Sequence, residues 1–213
     1  MIHRSTIATL GVAAALAGTA AGAIPLETSE RYAYSTYRER VDAIDLLVDG
    51  YPASLHPHDA YIPVPIAVAR VGVGASVPLT PESFRLLDAK GNAVPAATYT
   101  ELLRGYGKMG FDRSMLARRP LTLGSYYGSF VRVHGTFFPP PEAGSRTGRI
   151  EVPAFGLYRD VLYFPMPPAR LSGVLTLEMA VPGAAPIRVR FVASAEGLGA
   201  HASGASVTPP RRA

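Results

Sequence analysis

The segment His56-Pro57-His58-Asp59 is the sharpest candidate for metal chemistry in this chain of 213 residues. Two imidazoles and a carboxylate this close together supply the nitrogen and oxygen ligands that bind copper, zinc or nickel. Pro57 restricts the backbone between the two histidines, which either prearranges them or holds them apart. His134 becomes a fourth ligand only if the fold brings it close. A polar turn without metal explains the same residues, because His, Pro and Asp are common in turns.

A second candidate is a set of arginines on alternating strand positions. The formal net charge is +5, and of the 21 cationic residues only Lys90 and Lys108 are lysine. Arg132, Arg188 and Arg190 fall on outward positions of predicted strands. If the strands of Arg132 and Arg188 pair, they form a cationic stripe that suits phosphates, acidic polysaccharides or lipid headgroups. Exposed charges that deter aggregation at sheet edges explain the same pattern.

Enzymatic signatures are weak. The segment 105–110 reads G-x-G-x-x-G, but a dinucleotide site needs that turn between a strand and a helix, with an acidic residue about 20 positions on. After Asp112 the next acidic residue is Glu142, so a loop is the better interpretation. The chain has no G-x-S-x-G nucleophile motif and no cysteine, which excludes thiol nucleophiles and thiolate zinc sites. No cofactor is expected.

Paired carboxylates keep a hydrolase open as the least favoured alternative. Asp42, Asp45 and Asp49 are closely spaced, and Glu142 and Glu151 form another pair. Glycosidase chemistry needs two carboxyl groups at a defined separation in a groove, which spacing along the chain does not establish. Solvated charges at turns and on strand exteriors explain these residues equally well.

The elements that would position these residues are mostly strands. Apolar residues alternate with polar or small ones, and Gly, Pro and Asp interrupt the runs at short intervals. The segment Pro182–Pro186 between the last two strands predicts a hairpin, and the prolines at the start of the 62–68 strand predict a sheet edge there. The predicted strands are 62–68, 84–86, 130–136, the short apolar run 161–164, 175–181 and 187–191.

Two regions are less regular. Residues from Tyr34 to Val48 show helical spacing of apolar side chains, but the strand-rich remainder favours a strand over Val41–Val48. The segment Thr98–Arg119 is interrupted by glycine and predicts one or two helical turns inserted between strands. Together the elements predict an all-β fold, a sandwich of about seven antiparallel strands with a Gly-rich, partly helical insertion.

The first 23 residues have the order of properties of a secretory signal peptide. A basic start is followed by an apolar run from Ile7 to about Ala17 and by an A-x-A site at Ala21 and Ala23. An uncleaved anchor is the alternative, although Ala, Gly and Thr partition weakly into lipid. We therefore predict a signal peptide at 1–23, an N-terminal extension at 24–40, the sandwich at 41–194 and a disordered tail at 195–213.

The segment Leu79–Val94 resembles the F-x-L-x-D-x-x-G strand and turn of telokin-like immunoglobulin-fold domains in secreted bacterial proteins of unknown function. The matching positions are Phe84, Leu86, Asp88 and Gly91. The segment 61–74 is similar to the strand that precedes this one in those domains, and the resemblance extends over residues 41–193. It implies an immunoglobulin-like sandwich and an exported protein, with no shared catalytic residues.

The leading functional hypothesis is an exported, non-catalytic binding or scaffolding module of the cell envelope, periplasmic or secreted. Its expected partners are an envelope protein or an anionic surface ligand, without nucleic acid and without a stable membrane anchor once the leader is removed. The first alternative is a metal-binding accessory protein that uses His56, His58 and Asp59. The second is the carboxylate-dependent hydrolase.

Overall fold

A computed structural model describes residues 28–118, 127–139 and 148–193. Within these ranges the chain forms twelve strands, three α-helices and one 3₁₀ turn. The helices are α1 (Tyr51–Ser54), α2 (Tyr99–Gly105) and α3 (Met109–Arg118), and the 3₁₀ turn is Pro81–Ser83. The strands are β1 (Glu30–Ala33), β2 (Thr36–Val41), β3 (Ile44–Asp49), β4 (Tyr61–Arg70), β5 (Val77–Leu79), β6 (Phe84–Leu87), β7 (Ala93–Pro95), β8 (Val131–Val133), β9 (Ile150–Val152), β10 (Gly156–Pro165), β11 (Val174–Met179) and β12 (Ile187–Val192).

The strands form two main sheets and one short pair. The large sheet has the order β1-β2-β3-β4-β10-β8, the four-stranded sheet has the order β12-β11-β6-β7, and β5 pairs with β9. All neighbours are antiparallel except β8 and β10. Apolar side chains from both main sheets belong to one core cluster. The predicted all-β, sandwich-like class is therefore confirmed, with more strands than expected.

The pairing of β4 with β10 is the longest in the molecule, running from Ala69 opposite Leu157 to Tyr61 opposite Pro165. β3 pairs with the other side of β4 only as far as Ile66. Pro63 and Pro65 therefore lie where β4 has a strand neighbour on one side alone. Proline lacks the N–H that a second neighbour would need, which is why the prolines fall in this half of the strand.

Both faces of the large sheet are buried at its centre. Leu46 and Val68 point into the core shared with the four-stranded sheet. The next residues along, Leu47 and Ala69, belong to a second cluster that Tyr127 completes on the opposite face. Successive strand residues point to opposite faces, so β3 and β4 carry apolar side chains on both sides rather than one dry and one wet face.

The N-terminal region is part of the sheet. The sequence predicts a strand over 41–48, whereas the structure has the hairpin of β2 and β3, with Asp42 in its turn at φ 52°. The helical spacing beginning at Tyr34 reflects this hairpin and is not a helix. The predicted extension 24–40 contributes β1 and β2 to the large sheet.

Other local predictions are confirmed. The hairpin of β11 and β12 has continuous register from Val174 opposite Val192 to Met179 opposite Ile187. The predicted helical insertion is present, but its two helices, α2 of 7 residues and α3 of 10, exceed the one or two turns expected. The predicted signal peptide and tail lie outside the described residues. Within the described ranges, no helix is long and apolar enough to cross a membrane.

Gly50 offers a test of how closely the two sheets approach. A Cβ atom on Gly50 would lie 2.4 Å from the Val192 carbonyl oxygen and 3.1 Å from Phe191 Cδ2. The backbone of Gly50 is right-handed, at φ −78°, so alanine adds no backbone strain. We expect Gly50→Ala to lower the free energy of unfolding by about 1–3 kcal/mol through overpacking. Urea denaturation of the full chain measures this change.

Gly110 is the matched control, because a Cβ atom there meets nothing within 4 Å and the residue lies in α3. We expect Gly110→Ala to be neutral or to stabilise by up to about 1 kcal/mol. Equal effects of the two substitutions would contradict the close approach of β12 to Gly50.

Candidate functional site

The outer positions of the four-stranded sheet place three arginines around one glutamate. In the strand register Glu178 lies opposite Arg188 on β12 and opposite Arg85 on β6. Arg190 lies opposite Thr176, two residues along the same face. These five residues, on three adjacent strands, are called the arginine face below.

Glu178 holds two of the arginines in place. Arg85 Nε donates to Glu178 Oε1 at 2.5 Å, and Arg188 Nε donates to Oε2 at 2.7 Å. The Glu178 side chain is 4 % exposed, whereas those of Arg85 and Arg188 are 55 % and 60 % exposed. Burial alone would raise the pKa of Glu178, but the two guanidiniums outweigh it and lower that pKa. The glutamate thus stays ionised beneath two solvent-facing cations.

The arginine face has an excess of positive charge, with three arginines against one carboxylate. Arg190 is exposed and borders a shallow cleft of about 290 Å³ that Asp88 also lines. Asp88 is buried, and its carboxylate accepts the backbone N–H groups of Lys90 and Asn92 at 2.9 Å each. Hydrogen bonds from Asn92, Lys90 and Ala169 lower the pKa of Asp88, so this carboxylate stays ionised and offsets part of the positive charge beside Arg190.

The strands of Arg132 and Arg188 do not pair, so the stripe that depended on their pairing does not form. Arg132 lies on β8 at the edge of the large sheet, and Arg188 lies on β12 in the other sheet. Arg85 takes the place expected for Arg132. The sequence did hold a signal for Arg85, because it alternates with the buried Phe84 and Leu86. Which strand pairs with β11 was not readable from that pattern.

His56 is the centre of a separate, buried polar network on the outer side of the large sheet. His56 Nδ1 lies 2.6 Å from Asp59 Oδ2, and Nε2 lies 3.3 Å from Asp112 Oδ1. Lys108 Nζ donates to Asp59 Oδ2 at 2.7 Å, and Tyr106 Oη donates to Asp112 Oδ2 at 2.8 Å. The network ties the segment between α1 and β4 to both helices of the insertion.

The surroundings of Asp59 and Asp112 shift the pKa values of their carboxyl groups in opposite directions. Hydrogen bonds from Lys108 and His56 lower the pKa of Asp59. Burial raises the pKa of Asp112, although Tyr106 and the nearby charges oppose that rise. Both acids converge on a histidine that is 4 % exposed, rather than on an open groove. The arrangement suits a structural contact better than hydrolysis, which needs room for substrate and water.

The described part of the chain does not bring His56, His58 and Asp59 together as a cluster of metal ligands. Both ring nitrogens of His56 face carboxylates, and His58 is exposed. No group of three or more His, Cys, Asp or Glu side chains in the described ranges is placed to hold a metal ion. A metal site at His56, His58 and Asp59 therefore stays a prediction from the sequence.

The remaining sequence candidates have local partners or lie outside the described residues. Asp45 is fully buried and bonds Arg40 and Tyr127, and Asp49 accepts the Ser35 hydroxyl at 2.6 Å. The G-x-G-x-x-G segment connects α2 to α3 and follows no strand. Glu142 falls outside the described ranges.

Comparison of the chain with protein-family models, with curated proteins and with solved structures found no match.

The Tyr106 hydroxyl tests whether the His56 network stabilises the fold. Tyr106→Phe removes the hydrogen bond to the buried Asp112 carboxylate, so we expect a loss of about 1–3 kcal/mol in the free energy of unfolding. Tyr61 packs edge-on against Tyr106 at 6.0 Å between ring centroids, and its hydroxyl has no hydrogen bond among the described residues. Tyr61→Phe is therefore the control and should change stability by less than about 0.5 kcal/mol. Urea denaturation compares the two.

From the lowered pKa of Asp59 we predict that the stability of the fold depends on pH. A carboxyl group with a lowered pKa in the folded state stabilises the fold above its unfolded pKa of about 3.9. That contribution is lost as the pH falls through the folded pKa. We expect the Asp59→Asn variant to lose less stability than the wild type between neutral pH and strongly acid pH. Thermal unfolding measured over that pH range gives stability against pH for both proteins. Parallel curves for the wild type and Asp59→Asn would contradict a lowered pKa of Asp59 in the folded state.

Proposed function

We propose that this protein is a non-catalytic binding module of the cell envelope, exported by segment 1–23, that holds an anionic surface ligand on its arginine face. The observation that carries the proposal is the buried Glu178 between two exposed guanidiniums. Sheet surfaces commonly interleave charges of both signs. Here one carboxylate orients two cations, and a third lies beside them on the same face.

The chemistry of guanidinium favours anionic oxygen ligands. Its planar group donates two parallel hydrogen bonds to a carboxylate or phosphate and is less strongly hydrated than an ammonium group. Because Glu178 binds the Nε side of Arg85 and of Arg188, the two side chains lose little further rotamer freedom when a ligand binds. Preorganisation of this kind raises affinity by lowering the entropic cost of binding.

The overall charge supports the same ligand class. The chain carries a formal net charge of +5, which favours association with polyanions and with anionic membrane surfaces. Each arginine near an anionic lipid surface contributes on the order of 1 kcal/mol. A face of this size therefore supports weak, reversible and salt-sensitive binding rather than permanent anchoring.

Cosedimentation with phosphatidylglycerol vesicles tests the proposal. We expect the full chain to bind these vesicles, to bind phosphatidylcholine vesicles much more weakly, and to lose binding as salt screens the charges. The double variant Arg85→Gln/Arg190→Gln keeps the Arg188–Glu178 pair and removes two cations. Its affinity should fall roughly thirtyfold, from about 1 kcal/mol for each charge.

The control is Arg104→Gln/Arg149→Gln, which removes the same charge from α2 and from the residue preceding β9. We expect the control to bind nearly as well as the wild type. Equal losses in the two double variants would mean that net charge alone drives association, and would contradict a specific role for the arginine face.

A further inference from the structure

A cleft of about 380 Å³ lies next to the arginine face, since Val181 and Ala184 line both this cleft and the one beside Arg85 and Glu178. The turn between β2 and β3, the end of β4, the start of β5 and the hairpin between β11 and β12 form its walls. Its volume is at the lower end of the roughly 300–1,000 Å³ range of small-molecule sites. The space is therefore large enough for a small organic ligand.

The walls of the cleft are largely apolar. Ile44 and Val77 are buried residues of the core, and Val181 packs against that core. Pro78 and Pro182 extend the same walls. An apolar lining with a few polar groups is the usual composition of a small-molecule site.

Arg70 supplies the positive charge of the cleft. It is the last residue of β4, opposite Ile44 on β3, and it lines the cleft. Its Nη2 donates to the Val73 carbonyl oxygen at 3.1 Å. Among the described residues its guanidinium has no carboxylate within salt-bridge distance, and its buried Nε has no hydrogen-bond partner.

An incompletely bonded guanidinium at an apolar site is unusual. Arg70 is half-buried and its bond to Val73 lies at the surface, but its Nε atom is enclosed, and enclosed polar atoms are nearly always hydrogen-bonded. The neighbouring turn packs tightly on this side chain, because a Cβ atom on Gly74 would lie 2.5 Å from Arg70 Nη2. The φ angle of Gly74 is +128°, a conformation that side-chain-bearing residues rarely adopt. Glycine thus permits the turn to position the guanidinium.

We infer that this cleft binds a small organic carboxylate with an apolar tail, the carboxylate on Arg70 and the tail between Ile44 and Val181. The guanidinium supplies charge-assisted hydrogen bonds to the carboxylate oxygens. The walls remove the tail from water, which supplies the hydrophobic part of the affinity. The ligand carboxylate gives Arg70 a partner at salt-bridge distance, which no carboxylate among the described residues provides.

Asp42 allows us to predict the direction in which a substitution changes the affinity of the cleft for an anion. It is exposed at the same cleft and is the one acidic residue among those that line it within the described ranges. A second negative charge weakens binding of an anion by Coulomb repulsion. Asp42 adopts a positive φ of 52°, which asparagine tolerates well. Asp42→Asn therefore removes the charge and is expected to leave the turn in place.

The experiment is a titration of the full chain with octanoate, followed by NMR of the Arg70 Nε–Hε group and of the Val77 and Val181 amides. We expect octanoate to shift these three signals together, and octan-1-ol, which has the same tail without the charge, to bind at least tenfold more weakly. Arg70→Gln should weaken octanoate binding at least tenfold. Asp42→Asn should strengthen it about twofold.

Arg104→Gln is the matched control, since Arg104 is an exposed arginine of α2 that does not line the cleft. It should leave octanoate affinity unchanged. Equal binding of octanoate and octan-1-ol, shifts confined to other parts of the chain, or no change on Asp42→Asn would each overturn the assignment. The Asp42 result decides the question even if Arg70→Gln fails to fold.

Discussion

The pairing of β4 with β10 is the constraint on which the rest of the structure depends. These strands are central in a sheet that is covered on both faces, by the four-stranded sheet on one side and by helices and the Tyr127 segment on the other. A strand buried on both faces needs an apolar side chain at nearly every position. That requirement explains why residues 61–70 read YIPVPIAVAR and why the sheet tolerates proline only where β3 has ended.

Because both faces of the large sheet are covered, several aspartate side chains are buried and need hydrogen-bond partners inside the fold. Asp160 points from β10 into the core and accepts hydrogen bonds from Tyr158 Oη at 2.6 Å and from the Phe137 N–H at 2.8 Å. Burial raises the pKa of Asp160. Asp45, Asp112 and Asp49 are likewise enclosed with partners of their own. Because a buried acid must be bonded, Asp45 and Asp49, two of the carboxylates that suggested catalysis from the sequence, serve as internal contacts of the fold. Asp42 and Glu151 are exposed.

Much of the local structure could be predicted from the sequence, because it depends on neighbours along the chain. The β11–β12 hairpin follows from alternation and a Pro-Gly turn, and the Asp88 turn follows from side-chain bonds within five residues. The sequence did not allow us to predict which strands pair when they are far apart along the chain. Arg85 and Arg188 both reach Glu178 because β6 and β12 flank β11, and no alternation pattern states which strands are neighbours. The contact between His56 and Asp112 is also long-range, because it joins the segment before β4 to α3.

The four-stranded sheet differs from the centre of the large sheet in having polar side chains along its outer positions, and this difference makes it the candidate binding surface. Modification of arginines by phenylglyoxal, read by mass spectrometry with and without phosphatidylglycerol vesicles, tests that claim most directly. We expect vesicles to protect Arg85, Arg188 and Arg190 while Arg104 and Arg149 react as before. Equal modification of all five with and without vesicles, or protection confined to the last two, would contradict binding through the arginine face.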